Sequence, residues 1–152
     1  MHGVCTGGPA VSSSVRSEIY RVFRERAAAP SVNELASRLD LPAAEVIDAL
    51  HALADEHSIV LVPATDSIWM AHPFSGVATD FVVTVGERTW FANCAWDGLS
   101  ILALFGDGVL ETHSLVTGEP IRFTLRNRQV SGEGVVHFLV PAAEFWRDIG
   151  FT

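Results

Sequence analysis

The chain has 152 residues, a length that suits one domain, or a small module joined to a compact second one. Hydrophobic residues make up 49% of it and charged residues 18%, which excludes a disordered chain. All 10 basic residues are arginine, and against 18 acids they leave a formal charge of -8. This charge disfavours phosphate backbones and anionic lipid as partners, so we expect a globular protein that binds neither nucleic acid nor membrane.

The first 13 residues are small, polar and rich in glycine, which predicts a flexible tail over residues 1–13. They lack the charged and apolar regions of a signal peptide, and the longest apolar stretch, near LSILALFG, is too short for a bilayer span. We therefore predict a cytoplasmic protein. Its two cysteines, Cys5 and Cys94, do not form a disulfide framework, and Cys94 is expected to be a free thiol.

Residues 14–72 carry the pattern of a winged helix-turn-helix domain. Apolar spacing predicts a helix from Val15 to about Ala28, and Ser31 and Glu34 form a capping box for the next one. A third helix over 43–57 contains four acids and no arginine, which favours a structural use of this domain over DNA binding. The remaining predicted elements are a short second helix to Leu39 and two wing strands at 59–63 and 68–71.

Residues 73–152 are predicted to form a second domain, reached through a linker at residues 72–76. Alternating patterns and turn residues predict strands, and one apolar stretch ending at Gly106 predicts a buried central helix. The expected fold class is therefore α+β, a winged helix-turn-helix followed by a small mixed β-sheet with a central helix. The predicted elements are strands at 79–85, 88–92, 109–115, 120–126 and 135–141, a helix at 94–106, a loop at 127–134 and a last helix at 142–150.

Cys94 and Asp97 lie three residues apart in the stretch FANCAWDGLS. If the helix begins at Cys94, the macrodipole and free backbone N–H groups favour a reactive thiolate there, and Asp97 faces the same side one turn later. Apolar walls from Trp90, Phe91 and Trp96 favour the protonated carboxyl group. The pair then combines a soft nucleophile with a proton carrier. The alternative is structural: a buried cysteine packs as a small hydrophobe, and an aspartate in the first turn stabilises a helix.

Other chemistry-bearing residues form weaker patterns. No histidine or cysteine spacing typical of a metal site occurs, so no resident cofactor is expected. His72 lies in the linker beside the presumed pocket, and His137 alternates on a predicted strand, where it either faces the site or is a sheet histidine. The aromatic residues are first of all core, although Phe74, Trp90 and Trp96 are also candidates to line an apolar ligand pocket.

The string from His72 to Leu125 resembles the organomercurial lyase (alkylmercury lyase) family, and the resemblance extends over about residues 15–150. Family members show a Pro-Phe-Ser stretch, a strand with threonine, a Cys-Ala-x-Asp segment opening a helix, a Thr-Gly turn, and a histidine-bearing strand followed by a helix. The matching residues here are Pro73-Phe74-Ser75, Thr79, Cys94-Ala95-Trp96-Asp97, Thr117-Gly118 and the segment VVHFLVPAAEFW.

The resemblance implies protonolysis of a carbon–mercury bond, with Cys94 as nucleophile and soft-metal ligand and Asp97 as proton carrier. It also implies a second cysteine just before the histidine-bearing strand, where this chain has Glu133 or Gly134. One thiolate and a carboxylate hold mercury less well than two thiolates do, because soft cations prefer soft ligands. We therefore expect a divergent member with reduced activity or an altered substrate, and with Glu133 as an oxygen ligand or acid.

Three hypotheses follow for function. The first is a lyase that cleaves a carbon–mercury bond, or a related carbon–heteroatom bond, in a small organometallic or apolar substrate, with mercury as substrate and small thiols as partners. The second is a non-catalytic binding protein for a thiophilic metal or a small apolar ligand. The third is a winged-helix transcriptional regulator that senses such a ligand through Cys94.

Overall fold

A computed structural model describes residues 8–150. The helices within this range are α1 (Pro9–Arg26), α2 (Val32–Leu39), α3 (Ala43–Asp55), α4 (Ala95–Phe105) and a 3₁₀ helix (Ala142–Arg147). The strands are β1 (Val60–Leu61), β2 (Ile68–Ala71), β3 (Phe74–Ser75), β4 (Val82–Val85), β5 (Arg88–Phe91), β6 (Gly108–His113), β7 (Pro120–Arg126) and β8 (Gln129–Ser131).

Helix α1 begins at Pro9, so the predicted start at Val15 is too late and part of the predicted tail is helical. Proline suits the first helical turn, because its missing N–H has no partner there in any helix. Val11 packs against the core and Ser12 is buried, so tertiary contacts extend the helix into a polar sequence. The rest of the predicted tail, residues 1–7 with Cys5, lies outside the described residues.

Only one of the two hydrogen bonds of the predicted capping box forms at the start of helix α2. The Ser31 side chain accepts a hydrogen bond from the Glu34 backbone N–H at 3.2 Å. The Glu34 carboxylate does not reach back to the cap; it forms ion pairs with Arg26 and Arg38. The acid thus joins α2 to the end of α1, and the serine alone caps the helix.

Glu18 is the buried member of an ion-pair network on the helical face. Its carboxylate accepts hydrogen bonds from Arg21 at 2.8 and 2.7 Å, and from Arg38 at 3.3 Å. The Arg21 hydrogen bonds hold the pKa of Glu18 below its ordinary value of 4.5, and the charge of Arg38 adds to this against the opposing effect of burial. The ionised carboxylate therefore stabilises the contact between α1 and α2.

Replacing Glu18 with glutamine is expected to lower the free energy of unfolding at pH 7 by about 1.5–3 kcal/mol, the range for a hydrogen bond to a charged group. Because the folded pKa is depressed, the stabilisation exists above the unfolded pKa and is lost as pH falls through the folded pKa. Urea unfolding at several pH values should therefore show the two free energies of unfolding converging as pH falls below 4.5 and through the depressed pKa of Glu18. The control is Glu111→Gln, which removes an exposed pair with Arg122; an equal loss in the control would contradict the prediction.

The predicted linker at residues 72–76 is wrong, because it contains strand β3. Met70 pairs with Ser75 and Ala71 with Phe74, so His72 and Pro73 form a tight turn between β2 and β3. Strands β1, β2 and β3 make an antiparallel sheet next to the three helices. The prediction failed because a two-residue strand is too short to show an alternating pattern.

The second sheet has the strand order β5-β4-β6-β7-β8. Every strand pair in the part of the chain described is antiparallel, so the predicted mixed sheet is wrong. Helix α4 does connect two strands of the same direction, β5 and β6. Strand β4 lies between them and is antiparallel to both, so β5 and β6 never pair.

The strand predicted at residues 135–141 does not form, and the predicted loop at 127–134 contains β8 instead. Chain reversal at Asn127 and Arg128, both with positive φ, returns β8 against β7. The ladder ends at Gly132, with φ 141°, and the chain still passes close to Phe123 of β7 at Gly132 and Gly134. Residues 135–140 consequently run without ladder partners toward the 3₁₀ helix.

Helix α4 ends at Gly106 with φ 99°, as the glycine cap predicts. It approaches the sheet closely at Gly98, where an added Cβ would lie 2.7 Å from a methyl group of Leu110 on β6. Its burial is one-sided, however, because Trp96 and Leu104 are 61% and 64% exposed. The prediction of a fully buried helix is therefore wrong, since α4 lies on an outer face of the sheet.

One hydrophobic core crosses the boundary predicted between residues 72 and 73. It joins Val15, Phe23 and Leu50 of the helical half to Phe74, Trp90 and Leu110 of the other half. The Trp90 indole N–H also donates to the Phe23 carbonyl at 2.8 Å. None of the helices within residues 8–150 has the length and apolar character needed to cross a bilayer.

Candidate active site

The position of Cys94 is set by hydrogen bonds at the end of β5. Ala92 forms an isolated bridge with Phe74 of β3, and its N–H donates to the Phe81 carbonyl at 2.9 Å. The Thr79 hydroxyl donates to the Ala92 carbonyl at 2.6 Å. Contacts from Phe74, Thr79 and Phe81 thus fix the backbone immediately before Asn93 and Cys94.

Cys94 is the N-cap of α4. Its backbone is extended, with φ -155° and ψ 178°, and its Sγ accepts the Asp97 backbone N–H at 3.4 Å. Serine, threonine, aspartate and asparagine are the usual residues at this position. Here sulfur takes their place, so the same geometry that starts the helix directs N–H groups toward Sγ.

Burial raises the pKa of the Cys94 thiol above its ordinary value of 9.0, and the nearby charge of Asp97 raises it further. The N–H groups of Asp97 and Trp96 act in the opposite direction but do not overcome these effects. The expected thiolate at the helix start is thus opposed by desolvation. At neutral pH the free protein carries a thiol, and the proton leaves when the sulfur binds a metal.

The Asp97 carboxylate is held at one oxygen. Oδ2 lies 2.9 Å from Asn93 Nδ2 and 3.1 Å from His72 Nδ1. The Asn93 amide also donates to the Phe74 carbonyl at 3.3 Å. Within the described residues, the Asn93 Oδ1 atom is buried without a hydrogen-bond partner, a state that costs about 1–3 kcal/mol.

Cys94 and Asp97 both line a cavity of about 850 Å³. This volume lies within the usual range for small-molecule sites. The walls are mostly apolar, and one of them consists of the segment after β8. The lining residues are Met70, His72, Asn93, Cys94, Trp96, Asp97, Phe138, Leu139, Val140, Pro141, Ala142, Phe145, Ile149 and Gly150.

The structure brings some predicted site residues together and leaves others apart. Trp96 lines the cavity beside Cys94 and Asp97. Phe74 and Trp90 lie in the core, 3% and 2% exposed, and do not line the cavity. Glu133 and His137 are both exposed and also lie outside the cavity lining.

Two features of the site were not predicted from the sequence, namely Asn93 and the apolar wall at residues 138–150. Asn93 had a weak signal, as a lone amide beside a cysteine within an aromatic stretch. The apolar wall had no sequence signal, because the pattern over residues 135–141 predicts a strand. Trp146 holds this segment in place, since its ring stacks on His57 with centroids 4.2 Å apart and meets His72 edge-on at 6.2 Å.

The site thus combines one free cysteine, one carboxyl group and an apolar cavity. In residues 8–150, no group of three or more His, Cys, Asp or Glu side chains is placed to hold a metal ion. The sulfur can bind a soft electrophile, and the carboxyl group can transfer a proton. Together these two groups can cleave a bond in a ligand held in the cavity.

Comparisons with known proteins identify the family of the chain. The sequence model of the alkylmercury lyase family, MerB, matches residues 74–151, about half of the chain. The chain therefore belongs to the alkylmercury lyase family. Among solved structures, it is similar to the "Crystal structure of the mercury-bound form of MerB2", with 28% sequence identity and a TM-score of 0.64.

That similarity covers 81% of this chain and 59% of the solved one, so the chain spans less than two thirds of the length of MerB2. A search of curated proteins finds no significant match. The family match begins at residue 74, two residues after His72. The histidine that contacts Asp97 therefore comes from outside the matched segment.

Proposed function

We propose that the protein cleaves a carbon–mercury bond by protonolysis, with Cys94 as the mercury ligand and Asp97 as the proton carrier. The single observation that carries the proposal is the placement of both residues in one apolar cavity, joined by the Asp97 N–H to Cys94 Sγ hydrogen bond of 3.4 Å. Membership of the alkylmercury lyase family supports it, and so does the similarity to a MerB2 structure in its mercury-bound form.

The reaction balances with these two groups and one external thiol. The organomercury cation, delivered as a thiolate complex, exchanges onto Cys94; the Cys94 proton passes to Asp97, and the delivering ligand leaves as a free thiolate. Asp97 then gives a proton to the carbon, and the carbon–mercury electron pair becomes the new C–H bond. The hydrocarbon leaves and mercuric ion stays on sulfur.

A small thiol is proposed to supply the second sulfur ligand. Cys94 is the one cysteine in residues 8–150, and Glu133, expected as an oxygen ligand, lies outside the cavity lining. Mercuric ion on a single thiolate is under-coordinated for a soft cation. Hydrocarbon release should therefore rise with thiol concentration in Cys5→Ser as well as in the unaltered chain; loss of turnover in Cys5→Ser would assign the second ligand to Cys5.

We further propose that the N-terminal half is a winged helix-turn-helix module with a structural role, in a cytoplasmic protein. The order of three helices followed by a short antiparallel sheet supports this. Helix α3 carries Glu45, Asp48 and Asp55 and no arginine, which disfavours contact with phosphates. A gel shift with duplex DNA at low salt is expected to show no retardation.

The proposed activity is tested by incubating the protein with phenylmercury and excess small thiol and measuring benzene release. Catalytic release supports the lyase. Stoichiometric capture without benzene would instead support the second candidate, a non-catalytic binding protein. The observation that favours this alternative is that Cys94 is the one cysteine in residues 8–150, because a single thiolate activates the carbon–mercury bond less than two thiolates do.

The apolar cavity also predicts a preference among substrates. Its lining contains neither arginine nor lysine, and its one histidine, His72, already faces the Asp97 carboxyl group, so an anionic organic group would find no arginine or lysine to pair with. We expect kcat/KM for 4-carboxyphenylmercury to be lower than for phenylmercury by about tenfold or more, because an unpaired charge is costly to bury. Leu139→Arg, at a lining position that is 63% exposed, should narrow that difference; equal rates for both compounds in the unaltered protein would contradict the prediction.

A further inference from the structure

We infer that His72 and Asn93 are positioning residues that hold Asp97 in its working orientation, so that the N-terminal half contributes a side chain to the site. The inference rests on the proposed function. It gives a role to the hydrogen bond that His72, at the end of the helical half, makes with the carboxyl group.

The contacts on Asp97 are asymmetric. Oδ2 accepts from Asn93 Nδ2 at 2.9 Å, and it lies 3.1 Å from His72 Nδ1, which donates to it in the tautomer that carries the proton on Nδ1. Across residues 8–150, no hydrogen bond from a protein group reaches Oδ1. The two donors therefore fix the rotation of the carboxyl group and leave the second oxygen available to exchange a proton.

The side-chain orientation of Asn93 is set by its hydrogen bond to Asp97. The amide directs Nδ2 at Asp97 while its own Oδ1 is buried without a partner in the part of the chain described. Rotating the amide by half a turn would place an oxygen against the carboxylate, which is unfavourable. An unsatisfied buried atom requires an explanation, and holding Asp97 supplies one.

His72 is in turn fixed from the other side. It occupies the two-residue turn between β2 and β3, its carbonyl accepts the Tyr20 hydroxyl of α1 at 3.1 Å, and its ring meets the edge of Trp146. Contacts from α1, the first sheet and the 3₁₀ helix therefore hold His72 in place. Its ring can then orient Asp97 without taking part in the reaction itself.

The test compares His72→Asn, which keeps an N–H donor near the place of Nδ1, with His72→Leu, which keeps bulk and removes the donor. We expect kcat for benzene release from phenylmercury to fall about tenfold in His72→Leu and about a hundredfold in His72→Leu with Asn93→Ala, since a positioned acid contributes about 10²–10⁴-fold. His72→Asn should recover most of the loss. The rate of phenylmercury capture by Cys94 should change little in each variant.

The matched control is His113→Leu, which removes a histidine near Asp80 at 3.7 Å, away from the cavity; its kcat should equal that of the unaltered protein. The inference is overturned if His72→Asn is as slow as His72→Leu, if the double variant keeps its kcat, or if capture falls in parallel with turnover. If the unaltered protein releases no benzene, the proposed function fails.

Crystal structures of the variants then test the positioning role separately. The Asp97 carboxyl group should keep its orientation in His72→Asn and lose it in the double variant. An unmoved carboxyl group in the double variant would overturn the inference.

Discussion

Replacing Cys94 with serine is expected to abolish both capture of an organomercurial and release of its hydrocarbon. A serine hydroxyl can replace the sulfur as the cap of α4, because it accepts the same Asp97 N–H, so the fold should persist. It cannot replace the sulfur as a ligand, since a soft cation prefers thiolate. Turnover should fall by about a thousandfold or more, as happens when one member of a catalytic unit is removed.

Benzene release and mercury retention after gel filtration measure the two losses. Cys5→Ser is the control, and it should keep stoichiometric capture at Cys94. If Cys94→Ser retained mercury at one equivalent while Cys5→Ser did not, the site would have to be moved away from the cavity. Thermal unfolding of both variants separates a chemical effect from loss of the fold.

Replacing Asp97 with asparagine is expected to change capture and cleavage in opposite directions. The charge of Asp97 raises the pKa of Cys94, so a neutral amide at position 97 should lower that pKa toward its ordinary value. A larger thiolate fraction at pH 7 should then make capture of phenylmercury, or alkylation by iodoacetamide, several times faster. Benzene release should fall by about 10²–10⁴-fold, because the proton carrier is lost.

The pH dependence of Cys94 alkylation tests independently whether Asp97 raises the pKa of Cys94. In the unaltered protein the alkylation rate should rise through and beyond pH 9, since the raised pKa shifts formation of the Cys94 thiolate to higher pH. In Asp97→Asn the same rise should occur at lower pH. The control is Asp80→Asn, an exposed aspartate outside the cavity lining. A rise in the Asp97 variant at higher pH than in the unaltered protein would contradict the electrostatic account.

The two substitutions together separate the candidate functions. A lyase loses hydrocarbon release in both variants and capture in Cys94→Ser alone. A binding protein shows the same pattern of capture with no hydrocarbon in any variant. Because the chain spans less than two thirds of the length of the similar MerB2 structure, these measurements also test whether the shorter chain is sufficient for turnover.

Local sequence signals determined the groups on which the proposed chemistry depends. Ser31 predicted the start of α2, and Gly106 predicted the end of α4, because caps act within one turn of a helix. The Cys94 and Asp97 spacing predicted that the two residues would share the first turn of α4, and the Asp97 N–H to Sγ hydrogen bond joins them there. The same motifs predicted membership of the alkylmercury lyase family.

Long-range packing decided what surrounds those groups. His72 lies 25 positions from Asp97 in the chain, and the short strand β3 that places it has no periodic pattern. Cys94, whose burial opposes its thiolate, shares its cavity with a wall formed by residues 138–150, more than 40 positions away. The sequence by itself determined which reactive side chains are neighbours along one helix; tertiary structure decided their solvation, their hydrogen-bond partners and the shape of the cavity, because those depend on segments that meet only on folding.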